Sequence, residues 1–381
     1  MPHEDRTELK YRIALTMAQA VGPVIARKLI EKAGSAREVF AQKKEFLVKI
    51  EGIGPRLSLS LQDPALLEQA EKEITFLERH QISALFFEDP GYPERLKQCN
   101  DRPILLYVKG EQGLHCSRSL SVVGTRRATS YGRDVCRAII QGLSTMVTDL
   151  VIVSGLAYGI DVIAHKAALE YGLPTLAVLG HGLSTIYPNT HRETARKIIR
   201  QGALVTDFHS GMGPERNNFL RRNRIIAGLA DATLVVESAE SGGALITADL
   251  ANSYDRSILA VPGRANDLRS RGCNALIKDN LAAMVESADD VIKNLNWDEP
   301  DLPEEKRSSP VNNPLLKISP SPMEEIVLQL LKAFPGTGPE KIASDSSIPI
   351  HRMLALLMEL ELKGWISVEP GNRYYLKVPI G

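Results

Sequence analysis

Short apolar strand patterns occupy the middle of this 381-residue chain and limit the folds it can adopt. Between residues 119 and 263, six runs rich in β-branched and other apolar residues alternate with helical patterns. These runs read SLSVVG, LVIVSG, TLAVLG, ALVTD, TLVVES and SILAVPG. Nearly continuous apolar strands separated by helices are typical of a parallel sheet that is covered on both faces. The sequence therefore predicts an α/β domain with a Rossmann-like, doubly wound and mainly parallel sheet.

Changes in composition divide the rest of the chain. Residues 1–80 show only helical periodicity interrupted by Gly-Pro pairs, which predicts a small helical domain. Residues 81–295 are assigned to the Rossmann-like domain. Residues 296–320 are rich in proline and mixed charge, which predicts a semi-extended linker. Residues 321–381 show three helical patterns followed by two short strands, and this order is typical of a winged-helix domain.

Charge and cysteine content exclude several classes of protein. Lys and Arg together number 46, as do Asp and Glu, so the chain has no net charge that would attract nucleic acid or a membrane surface. The four cysteines lie far apart without zinc-site spacing, and we expect no metal and no cofactor. No run of about 18 apolar residues occurs, and the first residues are charged. We therefore expect a cytoplasmic protein without a membrane segment and with reduced cysteines.

Two segments of the helical domain share one pattern of glycine, proline and helix. They read AVGPVIARKL at residues 20–29 and GIGPRLSLSL at residues 52–61. Tight turns at helix starts expose backbone N–H groups that can hold a phosphate. The pair resembles helix-hairpin-helix elements, which bind the DNA backbone without reading sequence, although Ala20 stands where the motif has its first glycine. A purely structural helical hairpin is the alternative.

Three glycine-rich turns follow predicted strands. They read VVGTRRATSYG at 122–132, VSGLAYGIDVIAH at 153–165 and VESAESGGALITA at 236–248. Doubly wound folds place their ligands at the carboxyl ends of the strands, so we expect the three turns to converge there. None of them is a dinucleotide G-x-G-x-x-G fingerprint or a P-loop. Their glycines, hydroxyl groups and arginines suit the binding of an oxyanion.

Several motifs occur in a fixed order between residues 90 and 280. They are GYPERLKQCNDRPILLYVKG, VVGTRRATSYG, SGLAYGIDVIAHKAAL, VLGHGLSTIYP, RRNRIIAGLA, SGGALITA and VPG. In order and spacing they resemble the DNA-processing protein family DprA, also called Smf, with G-T-R where the family more often has G-S-R and Leu220 in place of a common proline. The resemblance implies a Rossmann-like domain that binds single-stranded DNA, forms a homodimer and helps to load the RecA recombinase in natural transformation. It implies no catalytic residues.

The segment FLRRNRIIAGL, residues 219–229, combines a basic cluster with a helix core. At about 100° per residue, Arg222 shares the inner face with the apolar residues, while Arg221 and Arg224 lie on the outer face. We therefore expect Arg222 to bind phosphate directly, with Asn223 as a supporting hydrogen-bonding group. Arg221 and Arg224 are expected to be exposed cations that attract DNA at longer range.

The remaining candidates come from the glycine-rich turns. Arginine suits phosphate because its guanidinium forms paired hydrogen bonds and is weakly hydrated. Arg126 and Arg127 follow the first strand, with solvated or ion-paired arginines as the alternative. Tyr158 either stacks on one base or packs under its turn. The predicted DNA-binding residues are Gly124, Arg126, Arg127, Gly155, Tyr158, Gly159, Arg221, Arg222, Asn223, Arg224, Ser241, Gly242 and Gly243.

An enzymatic reading is the alternative function. Related Rossmann-like families hydrolyse nucleotide N-glycosidic bonds, and they resemble this chain around SGGALITADL. Their pattern requires a catalytic glutamate, and Asp249 does not fall at that spacing. Asp161 and His165 are four residues apart and could form a metal or acid–base pair, or pair structurally. A nucleotide-binding enzyme or sensor therefore remains as a second hypothesis.

The predicted winged helix carries few of the side chains that read duplex DNA. Its third helical pattern offers His351 and Arg352 and then becomes apolar and acidic, and Gly371 and Asn372 mark the turn of the wing. A helix that reads the major groove normally presents basic and amide side chains. We therefore expect a protein-contacting or regulatory module.

Overall fold

A nine-stranded sheet forms the centre of the larger unit in a computed structural model of the chain. The structure describes residues 3–110, 112–297, 321–346, 348–363, 365–369 and 372–376. The strands are β1 Ser83–Phe86, β2 Leu105–Gly110, β3 Arg118–Val123, β4 Leu150–Ser154, β5 Thr175–Val178, β6 Ala203–Thr206, β7 Ala232–Val235, β8 Ser257–Ala260 and β9 Ala283–Met284. Their order is β1-β2-β6-β5-β4-β3-β7-β8-β9. Strands β3 to β9 pair in parallel, and β2 is antiparallel to both neighbours.

One group of helices precedes the sheet in the chain, and a second group, within the α/β region, covers both faces of the sheet. Those before the sheet are α1 His3–Met17, α2 Pro23–Ala33, α3 Ala36–Ala41, α4 Lys44–Leu47, α5 Pro55–Ser60 and α6 Ala65–His80. Those within the α/β region are α7 Glu94–Lys97, α8 Ser130–Met146, α9 Ile160–Glu170, α10 Arg192–Gln201, α11 Arg216–Gly228, α12 Gly243–Ser253, α13 Arg271–Lys278 and α14 Ala288–Leu295. Helices α8, α9 and α14 pack on one face of the sheet, and α11, α12 and α13 pack on the other. The predicted doubly wound α/β fold is therefore confirmed.

The strand order reverses between β3 and β7, which are neighbours in the sheet although the three strands β4, β5 and β6 lie between them in the chain. From β3 the chain winds through β4, β5 and β6 to one side, and after β7 it continues to the other side. A crevice opens at such a reversal because the connections leave the carboxyl ends of the two strands in opposite directions. The topology thus brings the turn after β3 close to the turn after β7.

The predicted helix starts in the first 80 residues are observed. Gly22 and Gly54 directly precede α2 and α5, each of which has proline in its first turn. Ala20 and Gly52 both adopt a positive φ, 65° and 88°, so Ala20 takes the backbone conformation of the glycine it replaces. The core of these helices includes side chains of β1 and β2, and residues before 297 pack as one unit. Phosphate binding by the turns and the domain boundary at residue 80 stay predictions.

A second unit follows in the C-terminal part of the chain. It contains α15 Pro322–Ala333, α16 Pro339–Ser346, α17 Ile350–Leu362, β10 Ile366–Glu369 and β11 Arg373–Leu376. The two strands are antiparallel, as in the wing that the sequence predicts. The predicted linker falls almost entirely outside the described residues, as does Gly371. Among the helices of the described ranges, none has the length and apolar character needed to cross a bilayer.

Candidate nucleic-acid interface

A pocket of about 490 Å³ opens at the carboxyl edge of the sheet, where the strand order reverses. Its walls come from the turn after β3, the first turns of α11 and the segment that leads into α12. Predicted site residues in this lining are Gly124, Arg126, Arg222, Asn223, Ser241, Gly242 and Gly243. Lining residues that the sequence analysis did not select as DNA-binding include Thr125, Asp161, Arg216, Phe219, Ser238 and Thr247. The structure therefore brings parts of all three glycine-rich turns together with α11, the second turn through Ala157 and Asp161.

Arg126 provides an exposed cation at the rim of the pocket. Its guanidinium carbon lies 5.8 Å from the centroid of the Phe219 ring, which forms part of the pocket wall. Arg127 is also exposed, but it does not belong to the pocket lining. In the described part of the chain no carboxylate forms an ion pair with either arginine. Arg126 is thus held near the pocket by an aromatic ring, and its hydrogen-bond donors remain available.

Arg222 lies in the floor of the pocket and is only 3% exposed. Its Nη1 donates a 2.9 Å hydrogen bond to the Val178 carbonyl at the end of β5. The guanidinium also fills the space beside Gly155, where a Cβ would lie 1.5 Å from Nη1. Burial lowers the pKa of Arg222 to about 10, and the charge of Asp161 opposes that shift, so the group stays protonated at neutral pH. Arg222 adds positive charge to the pocket floor while it bonds to the scaffold.

Asp161 and His165 lie on α9 behind the second glycine-rich turn, and they make no hydrogen bond to each other. The Asp161 carboxylate accepts a 3.4 Å hydrogen bond from the Ala157 amide, and burial raises its pKa. His165 Nδ1 lies 2.7 Å from the Thr175 hydroxyl, which itself donates to the Ile152 carbonyl. Nδ1 must therefore carry the proton in that contact. Burial, with the nearby Arg222 charge, lowers the pKa of His165 to about 3, so the imidazole is neutral.

A buried carboxylate occupies the N-terminus of α8. Glu237 Oε2 accepts a 2.9 Å hydrogen bond from the Thr129 amide, and a Cβ at Gly132 would lie 2.6 Å from the same oxygen. In dinucleotide-binding folds this helix end holds the pyrophosphate. The protein's own anion takes that position here. Glu237 had no sequence signal, because only the fold brings this residue, two positions after β7, to the start of α8.

The N-terminus of α12, by contrast, opens into the pocket. Gly242 is its N-cap and Gly243 its first residue, and both line the pocket together with Ser241. The first backbone N–H groups of a helix lack intrahelical partners and carry a partial positive charge. This end of α12, close to the Arg126 side chain, is suited to an anion.

Six predicted residues lie outside the pocket lining, and four of them belong to the first two glycine-rich turns. Tyr158 is 47% exposed and contacts the His191 ring edge to face, with 5.1 Å between centroids. Gly159 has a φ of 75°, and a Cβ there would lie 2.1 Å from the Thr125 carbonyl oxygen. The second turn therefore packs tightly against the first. Gly155 faces Arg222, and Arg127 is not part of the pocket lining.

The prediction that both outer arginines of α11 are exposed is correct for Arg221 and wrong for Arg224. The Arg221 side chain is exposed and lies over the Phe208 ring at 5.2 Å. Arg224 is 8% exposed, and its guanidinium pairs with Asp207 and donates to the Asp101 carbonyl. Residues near Asp101 fold over this side of the helix, and a helical wheel cannot show such a covering segment.

Helix α11 begins three residues before the segment from which it was predicted. Its first residue is Arg216, and Glu215 is the N-cap. Arg216 is exposed and lines the pocket, so it joins the candidate phosphate ligands. Pro214 was the available signal, because proline commonly stands just before or within a first helical turn. Arg222 is consequently in the second turn of the helix.

The described residues offer few side chains for catalysis or metal binding in the pocket. Asp161 is the carboxylate of its lining, and Asp249 lies exposed on α12 outside it. No group of three or more His, Cys, Asp or Glu side chains gathers in metal-binding geometry within the described ranges. The four cysteines are free thiols, and burial raises the pKa of each, to about 11 for Cys99.

Comparison with known proteins identifies relatives over both units. Residues 83–296 match the family described as DNA recombination-mediator protein A, and residues 312–372 match the DprA winged helix domain. Protein Smf of Escherichia coli is 35% identical over 326 residues, which are 82% of this chain and 85% of that protein.

Two solved structures share the fold. DNA processing protein A from Streptococcus pneumoniae superposes with a TM-score of 0.60 at 31% identity, over 74% of this chain and 97% of that chain. DNA processing protein A from Helicobacter pylori, solved for its single-stranded DNA binding mode, superposes with a TM-score of 0.52 at 28% identity. The match covers 58% of this chain and 98% of that chain.

Proposed function

The chain belongs to the DNA recombination-mediator protein A family, and we propose that it is a non-enzymatic cytoplasmic protein that binds single-stranded DNA in the pocket between β3 and β7. The observation that carries the proposal is that Arg126 and the open N-terminus of α12 line the same pocket. A relative from Helicobacter pylori binds single-stranded DNA. The pocket holds one or two nucleotides, and the basic rim contacts the neighbouring phosphates.

The parts of the pocket suit different parts of a nucleotide. A phosphate accepts hydrogen bonds from the first amides of α12, the Ser241 hydroxyl and the Arg126 guanidinium. Arg222 sits 3% exposed in the floor and acts chiefly through its charge, since its Nη1 already bonds to Val178. Phe219 and the exposed side chains of Leu220 and Ile246 offer an apolar wall to a base.

The test is the salt dependence of single-strand affinity. Each phosphate neutralised in a single strand contributes about 0.7 to the slope of log affinity against log salt. We expect Arg126→Ala and Arg222→Ala each to weaken binding and flatten that slope. Arg271→Ala is the matched control, because Arg271 is an exposed arginine outside the pocket that pairs with Glu240. Unchanged affinity and slope in both pocket variants would rule out this site.

The proposal extends to two protein contacts that the family resemblance implies. The protein delivers the bound strand to the RecA recombinase, and it forms a homodimer through the Rossmann-like domain. The short edge strand β9 leaves Leu281 and Met284 about half exposed, at 49% and 52%, which suits contact with a second copy. Sedimentation of wild type and Met284→Glu tests the dimer. RecA filament assembly on protein-coated single strands tests the delivery.

One observation favours a nucleotide-processing enzyme as the second candidate. Asp161 lines the pocket and has a raised pKa, as a general acid would require. Its 8% exposure and its bond to the Ala157 amide favour a structural role instead. Incubation with nucleoside monophosphates decides between them, since release of free base would support the enzyme and contradict the proposed function.

A further inference from the structure

Two exposed tyrosines connect the pocket wall to helix α10. Tyr187 is 46% exposed, and its ring lies 5.7 Å from that of Phe219, which lines the pocket. Tyr158 is 47% exposed and contacts the ring of His191, the residue directly before α10. The His191 Nδ1 is 2.8 Å from the Leu156 carbonyl, so the second glycine-rich turn holds the start of α10 in place. One exposed ring therefore contacts a pocket residue, and the other contacts the residue before α10.

Helix α10, which directly follows His191, carries a row of cations. Arg192, Arg196 and Arg200 are spaced by four residues, so they share one face of the helix, and all three are exposed. The opposite face is buried through Ala195 and Ile198. At a rise of about 1.5 Å per residue, the row spans about 12 Å. It is therefore a fixed, extended positive surface.

The single carboxylate among these cations does not neutralise them. Glu193 lies 3.6 Å from Arg196, and both side chains are more than two-thirds exposed. Ion pairs this open to solvent contribute little and exchange readily for another anion. The chain as a whole carries no net charge, so the positive charge on this face of α10 is a local excess.

We propose that single-stranded DNA held in the pocket continues over Tyr187 and Tyr158 and along the arginine row of α10. We call this surface the aromatic-basic track. Proteins that bind single strands without sequence preference combine aromatic rings for base stacking with a positive surface along the backbone. Only 5% of the chain is aromatic, but two of its exposed rings lie beside the pocket residue Phe219 and beside His191 at the start of α10. The inference rests on the proposed function and adds a second segment to its site.

The test separates the track from the pocket by strand length. Fluorescence anisotropy would compare oligothymidylates of about 5 and about 20 nucleotides, the shorter of which can fill only the pocket. In the full-length protein, the triple variant Arg192→Ala, Arg196→Ala, Arg200→Ala removes the cations while alanine preserves the helix. The control variant Arg269→Ala, Lys278→Ala, Lys293→Ala removes three exposed cations from the β8–β9 side of the sheet.

We expect the wild type to bind the long strand more tightly than the short one. The α10 variant should lose about tenfold in affinity for the long strand, its salt slope should fall by about 2, and its short-strand affinity should match that of the control. Tyr158→Leu keeps an apolar side chain without a stacking face, and it should weaken only long-strand binding, by about tenfold.

Three results overturn the track, and a fourth overturns the pocket as well. Equal affinity of the wild type for both lengths, or equal long-strand affinity in the α10 and control variants, contradicts the track and leaves the pocket intact. Failure of the wild type to bind either strand contradicts the proposed function itself. Loss of short-strand binding in the α10 variant also contradicts the track, because it would show a change in the pocket.

Discussion

At the scale of single residues, Gly155 shows how the pocket floor is built. Its missing side chain leaves the space that the Arg222 guanidinium occupies, at 1.5 Å from an ideal Cβ. Arg222 cannot simply move away, because it is buried and bonds to the Val178 carbonyl. Gly155 and Arg222 therefore pack as one unit, although Gly155 belongs to a glycine-rich turn and Arg222 to the basic segment of α11.

This packing predicts a non-additive pair of substitutions. Gly155→Ala should destabilise the protein by about 1–3 kcal/mol through overpacking and should displace Arg222. In an Arg222→Ala background, the same substitution should cost clearly less, because the clashing group is gone. Denaturant unfolding of the two single variants and the double variant measures the coupling. Additive effects would show that Gly155 does not pack against Arg222.

His165 gives a pH dependence with a definite sign. Burial lowers the pKa of this imidazole from 6.5 to about 3 in the folded protein, so below about pH 6.5 the unfolded chain binds one more proton than the folded chain. The contribution of neutral His165 to the free energy of unfolding is at its full value above about pH 6.5, and it decreases as the pH falls toward 3. The loss approaches about 1.4 kcal/mol per pH unit. Asp161, whose pKa is raised, acts in the opposite direction at the acidic end.

We therefore expect His165→Asn to flatten the fall in unfolding free energy between neutral pH and about pH 5. Denaturant titrations at several pH values would measure the slopes. His115→Asn serves as the control, since His115 is exposed and its substitution should leave the slope unchanged. An identical slope in His165→Asn and wild type would mean that His165 titrates normally in the folded state.

At the scale of elements, local patterns identified the strands that are buried on both sides. All six predicted strands are present, because β3 to β8 are short apolar runs with glycine or polar residues after them. β1, β2 and β9 were not predicted. β9 has only two residues, and β1 has one buried residue in four. β1 and β9 form because a neighbouring strand supplies hydrogen bonds, and no local pattern reports that neighbour.

The helix ends show the same division between local and long-range information. The starts of α2 and α5 follow Gly-Pro pairs, so the sequence places them correctly. The predicted segment for α11 started three residues late, which left Arg216 unnoticed. The sequence indicated the turns and the arginines of the site. It did not indicate the roles of Glu237 and Arg224. Glu237 depends on the Thr129 amide, 108 residues away, and Arg224 depends on the Asp207 carboxylate, 17 residues away.

At the scale of the whole molecule, the helical N-terminal residues are part of the larger unit. Glu73 of α6 is 4% exposed, and its carboxylate accepts a 2.8 Å hydrogen bond from the Ser210 amide and another from the Ser210 hydroxyl. Ser210 lies in the loop that leads into α11. Two residues more than 130 positions apart in the sequence are thus in contact, and they link the N-terminal helices to the loop before α11.

The C-terminal unit gives the last prediction, because its third helix carries the wrong side chains for reading a duplex. On α17, His351 and Arg352 are exposed, but Leu354 and Met358 are also 47% and 66% exposed, on a face that suits protein contact. We expect gel shifts of residues 298–381 with duplex DNA to show only weak binding, while residues 1–297 retain single-strand affinity. Leu354→Ala with Met358→Ala should leave both results unchanged. Tight, salt-sensitive duplex binding that Arg352→Ala abolishes would instead make this unit a duplex reader.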